Sequence, residues 1–157
     1  MTIAETVRTW LDGSKAEIIK NYDADNMRAS GSFAKSLRVE ILEQSGVIKG
    51  TLYGANHSVF VDDGRGKTTG SGNGQLKMQI RKWIDDKGIT PRDKISKDSL
   101  AYLISRKIHR EGWRPKNRYP NGVISSVIND KAIKELINSL GSSVKTQVRT
   151  EIWQSLG

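Results

Sequence analysis

The chain contains no cysteine, which removes disulfides, thiolate catalysis and every zinc site that needs sulfur ligands. It has two histidines, His57 and His109, and neither has a second ligand at helical spacing. No apolar run approaches the roughly 18 residues of a membrane span, so no membrane is expected among its partners. Met1-Thr2-Ile3-Ala4-Glu5 lacks the basic and apolar regions of a secretory signal. The expectation is synthesis and use in the cytoplasm, or packing into a particle assembled there. Hydrophobic residues make up only 36% of the 157. That predicts one domain of residues 1–157 with a modest core, long loops, and apolar surface buried only against neighbouring subunits. There is no internal repeat and no heptad run.

Positive charge is unevenly placed. Residues 64–118 hold fifteen Lys and Arg against five Asp and Glu, while the rest holds eleven against twelve. A field concentrated in one third of the chain attracts nucleic acid, anionic membrane or an acidic protein face.

Residues 3–22 read as a helix with Ile3, Val7, Trp10 and Leu11 on one side, interrupted at Gly13 and restarted by Ser14 with Glu17 at capping-box spacing. Ser32–Leu37 suggests a helical turn leading into a strand. Leu37, Val39 and Ile41 then alternate with polar residues, Ser45-Gly46 signals a turn, and Ile48 and Leu52 define the inner face of a second strand. A short helix over 56–63 ends at Gly64. Helices follow over 75–87 with Gly88 as C-cap, from Ser96 or Asp98 to Gly112, and from Asn129 or Asp130 to Gly141. The tail alternates Val144, Thr146, Val148, Thr150 and Ile152 with longer polar residues, which favours a strand, although Val144, Val148 and Ile152 also fit helical spacing. The predicted fold is α+β: a small, mainly antiparallel sheet packed on two or three helices, with long loops near 64–74 and 113–122.

Motifs for chemistry are weak. Gly66-Lys67-Thr68 looks like the end of a phosphate-binding loop, but the position five before Gly66 is Val61, not glycine, and more glycine follows instead of a helix. The glycines Gly64, Gly66, Gly70, Gly72 and Gly74 instead predict a loose surface loop that orders on assembly. Asp62-Asp63 and Asp85-Asp86 diverge as adjacent pairs and read as solvated surface. No acid, base and nucleophile set is visible, so neither catalytic nor metal residues are assigned, no cofactor is expected, and an enzyme is not expected. The candidate partner-facing or DNA-facing cations are Arg65, Lys67, Arg81, Arg106, Lys107, Arg110, Arg114, Lys116 and Arg118, with Trp113 and Tyr119 interleaved. Arg106 and Arg110 lie opposite the Leu100, Ile104 and Ile108 face. Such a run can track phosphates with aromatics as stacking platforms. The favoured reading packs Trp113 on the helix end and pairs the arginines with acids of a neighbour.

The order of segments is specific. Ser30-Gly31-Ser32-Phe33-Ala34-Lys35-Ser36-Leu37 precedes the hairpin, and Tyr53-Gly54-Ala55 leads to Val61-Asp62-Asp63-Gly64-Arg65 after it. Trp83-Ile84-Asp85-Asp86-Lys87-Gly88-Ile89 closes one helix, and Leu103-Ile104-Ser105-Arg106-Lys107-Ile108 runs on to Gly112-Trp113 in the next. Over roughly residues 1–141 this resembles the neck and tail-completion family of long-tailed bacteriophages. Tyr53, Val61, Asp62, Gly64, Arg65, Trp83, Gly88 and Gly112 stand at its motif positions. Asp62 replaces the family's usual glutamate, and the glycine-rich loop lacks its common prolines. The resemblance implies a structural virion protein forming a homo-oligomeric ring at the head–tail junction, assembled in the host cytoplasm. Its implied partners are copies of itself, other neck, connector or tail proteins, and DNA passing through the ring. The alternative is a basic nucleic-acid-binding protein, which salt-dependent DNA binding by the monomer would favour.

Overall fold

The computed structural model describes residues 1–115 and 122–156. Helix α1 (Ile3–Ala24) opens on a capping box, in which Thr2 Oγ1 accepts from the Glu5 amide at 3.1 Å and Glu5 accepts from the Thr2 amide at 2.6 Å. It runs through Gly13 without a break, so the predicted interruption there is corrected. Nothing lies within 4 Å of the place a Gly13 side chain would occupy, and a solvent-facing glycine inside a helix costs only about 1 kcal/mol. Ser14 is buried in the continuing helix and does not act as a cap.

Helix α2 (Ser32–Ser36) turns the chain into strand β1 (Arg38–Gln44), which pairs antiparallel with β2 (Val47–Tyr53). The connection is two residues, Ser45 and Gly46, both at positive φ, as a twist-matched hairpin turn requires. Gly50 faces α1. A side chain there would lie 2.5 Å from Val7 Cγ1 and 2.7 Å from Leu11 Cδ1, so its absence lets the hairpin seat on the helix.

The main core joins Ile18 and Tyr22 of α1, Phe33 of α2, Leu37, Val61 and Val123. Tyr22 and Phe33 rings meet at 4.5 Å between centroids, and burial pushes the Tyr22 phenol above its ordinary range. Each such buried side chain contributes about 1.5–3 kcal/mol. Val61 comes from α3 (Val59–Asp63), which follows a single 3₁₀ turn at Asn56–Ser58.

Helices α4 (Gln75–Asp86) and α5 (Lys97–Glu111) form a hairpin of their own around Ile84 and Ala101, both fully buried, and Ser105. The end of α4 is a Schellman cap: the Ile89 amide bonds to Ile84 O at 3.0 Å and the Gly88 amide to Asp85 O at 3.0 Å, with Gly88 at φ 66°. Ser96 caps α5, accepting from the Ser99 amide at 3.0 Å.

Helix α6 (Asp130–Leu156) overturns the predicted tail strand, and the sheet stays two-stranded. The β-branched positions that looked like alternation sit on a helix whose hydroxyls bond back one turn. Thr146 Oγ1 donates to Ser142 O, and Thr150 Oγ1 to Thr146 O, each at 3.0 Å. Gly141 is interior to α6 and does not end it. The start is Asn129, whose Oδ1 accepts from the Ala132 amide at 3.0 Å.

Candidate functional site

The first surface is built by a backbone clasp. Gly64 ends α3 at φ 71°, and the chain then runs against the end of α5. The Arg65 amide bonds to Trp113 O at 2.6 Å, the Trp113 amide to Arg65 O at 2.7 Å, and the Thr68 amide to His109 O at 3.0 Å. Glycine is required on both sides of this contact. A side chain at Gly64 would collide with the Trp113 carbonyl, and one at Gly112 would lie 2.6 Å from Arg65 O. Both glycines also hold positive φ.

The predicted loose loop is therefore corrected in part. Residues 64–68 are strapped down, and Gly72 lies against the His109 ring, with its missing side chain 2.8 Å from Nε2. Gly66, Gly70 and Gly74 face open space. Beneath the strap, His109 Nδ1 is buried without a hydrogen-bond partner.

The clasp gathers cations from two distant stretches. Arg65 and Lys67 arrive beside Arg106, Lys107, Arg110 and Arg114 at one end of α5. All but Arg65 are exposed; Arg65 is half-buried and donates to Thr68 Oγ1 at 3.2 Å. Arg106 and Arg110 face outward, while Leu100, Ile104 and Ile108 are half-buried, as their spacing predicts. Trp113 is 42% exposed, so it does not pack away on the helix end.

Arg81 is not part of this cluster. It pairs with Asp85 and, at 3.3 Å, with Asp98, while Lys97 reaches Asp85 at 2.8 Å. Those charges brace α4 on α5. The Lys97 ammonium, with Arg81, holds the Asp85 carboxyl below the usual carboxylate range. Lys116 and Arg118, with Tyr119 and most of the predicted 113–122 loop, lie outside the described residues.

Asp63, Asp85 and Asp86 are exposed, as the solvated-surface expectation has it, but Asp62 is not. Asp62 accepts from the Ile124 amide and the Ser125 amide at 2.8 Å each, and from Ser125 Oγ at 2.7 Å. Its carboxylate caps a helical turn over 123–128 that places Val123, Ile124, Val127 and Ile128 on the core. This turn has no counterpart among the predicted elements. The apolar pairs 123–124 and 127–128, one helical turn apart, are the signal that marks it. Of the other motif positions, Tyr53 carries the Arg38 guanidinium 4.4 Å over its ring, Val61 is core, and Trp83 is partly exposed on α4.

The second surface is apolar. Helix α6 lies antiparallel to α1: Ser126, just before it, accepts from Asn21 at 3.4 Å, and Ser143 Oγ is 3.3 Å from Thr6 Oγ1 near the start of α1. Beyond Ser143 the helix continues for about 20 Å, and residues 144–155 are all exposed. Ile133, Ile137, Val144, Val148 and Ile152 share one face, and the last two are 48% and 52% exposed. A shallow groove there is lined by Val144, Lys145, Val148, Arg149, Ile152 and Trp153.

Among the described residues, no three His, Cys, Asp or Glu side chains converge as a metal site, and no helix is long and apolar enough to cross a membrane. A scan against protein-family models, a search of curated proteins and a search of solved structures each find no match to this chain.

Proposed function

We propose that the chain is a structural virion protein that assembles into a homo-oligomeric ring at the head–tail junction of a tailed bacteriophage, as a neck or tail-completion component. The observation that carries this reading is the overhang of α6. A helical stretch of this length is marginal alone in water, and this one exposes a continuous apolar face. A polypeptide beside it would take that face out of water.

The occupant is a neighbouring copy. The outer face of the β-hairpin is also uncovered, with Leu42 and Val47 54% and 65% exposed. A contact between two different patches of identical subunits propagates around an axis, and closes as a ring when the rotation permits. The order of motifs shared with neck and tail-completion proteins supports the same location. Other neck, connector or tail proteins then stack above and below, and DNA passes through the centre.

Sedimentation of the purified chain, and immunogold labelling of intact phage particles carrying it, test the reading. The expected results are a closed oligomer and label at the junction. A chain that stays monomeric at every concentration and is missing from particles overturns it. Replacing Val148 and Ile152 with Glu is expected to abolish the oligomer while leaving the helical spectrum of the body intact.

A further inference from the structure

The clasp between residues 64–68 and 109–113 does more than shape a loop. It gathers part of the charge excess of residues 64–118 into one local face. Lys67 from the strap joins Arg106, Lys107, Arg110 and Arg114, all exposed, and Arg65 lies in the clasp itself. Among the described residues, the one ion pair of these cations is the loose contact of Arg110 with Glu111 at 3.8 Å. Contrast α4, where Arg81 and Lys82 are matched to Asp85 and Asp86. Cations that stabilised the fold would be paired as those are. Like charges held together without partners repel one another, and that cost persists in the folded chain unless a polyanion relieves it.

We infer that this face is a DNA contact surface, gripping phosphates without reading bases. Three features point to nucleic acid over an acidic protein. The cations are mostly arginine, whose planar fork matches phosphate. Arg106 and Arg110 stand one turn apart on a straight helix face, a regular spacing suited to a polymer of regular charge. Exposed aromatic rings flank the strip: Tyr102 at 50% exposure, within 3.5 Å of Arg106, and Trp113 at 42%. The inference does not need the ring, because the face is complete within one chain.

The test is fluorescence anisotropy of the full-length chain with a 30-base-pair duplex of mixed sequence, titrated across sodium chloride concentrations. Binding is expected to weaken linearly on a log–log plot, with a slope of about −4 for four to five neutralised phosphates. The double variant Arg106→Glu/Lys107→Glu is expected to weaken binding at least tenfold and flatten the slope. The equal charge change Lys131→Glu/Lys134→Glu, on exposed sites of α6, is expected to leave both nearly unchanged. The milder Arg106→Gln/Lys107→Gln pair keeps the comparison valid should the glutamates disturb α5. Three results overturn the inference: equal weakening by both double variants, a slope near zero, or polyglutamate competing as well as DNA at matched charge. The last would assign the face to an acidic protein.

Discussion

The Asp62 carboxylate and Ser125 are joined twice, through the serine amide at 2.8 Å and its hydroxyl at 2.7 Å, and the neighbouring Ile124 amide adds a third bond. Gly122 makes room for this, since a side chain there would collide with the Asp62 carboxyl. One side chain on α3 thus docks the turn that feeds Val123 into the core and leads into α6. Asp62→Ala leaves two amides without acceptors and is expected to cost about 2–3 kcal/mol. The urea midpoint checks it. Asp62→Asn, which keeps one acceptor, should fall between wild type and Ala.

Gly64→Ala places a methyl group into the Trp113 carbonyl at a backbone angle that suits only glycine. The expected loss is about 1–3 kcal/mol. Faster hydrogen exchange at the Arg65, Thr68 and Trp113 amides would show that the strap has lifted. Unchanged exchange would contradict the clasp.

Gly13 and Gly141 present the opposite case. Both lie inside helices with open space where a side chain would go. Gly13→Ala and Gly141→Ala are each expected to stabilise the protein, by roughly 0.5–1 kcal/mol. A thermal melt reads this directly. Destabilisation at Gly141 would mean that α6 does not continue through it.

Tyr22 gives the protein an alkaline limit. Burial raises the folded-state phenol above its unfolded value, so the unfolded chain releases that proton first. The contribution is fully present below the ordinary tyrosine range and declines as pH rises through the elevated folded value. Tyr22→Phe keeps the ring contact with Phe33 and is expected to flatten the loss of stability between about pH 9 and 12. An unchanged alkaline limb would reject the assignment.

Much of the fold was legible because local rules carry it. Alternation from Leu37 and the Ser45-Gly46 turn marked the hairpin, and Gly88 and Gly112 marked helix ends. The tail departs from the expected strand because Val144, Val148 and Ile152 satisfy both periods at once, and β propensity favours the wrong one. The deciding fact is tertiary: the tail propagates a helix already packed on α1. Gly141 misled for the same reason, since a glycine stop depends on a positive φ that composition cannot reveal. Of the candidate surfaces, Arg106 and Arg110 could be placed on one helix face in advance. Their meeting with Arg65 and Lys67 could not, because the 65–113 pairing is long-range. Nor could the separation of Arg81, whose acids arrive from both its own helix and the next.

The Arg65–Trp113 pairing has an architectural consequence. Where the chain departs for α4 and where it returns from α5, the two strands lie side by side, so everything between them is a detour that begins and ends at one gate. A change in the length of such a detour need not redirect the path on either side, so α1, the hairpin and α6 can keep their arrangement while it varies.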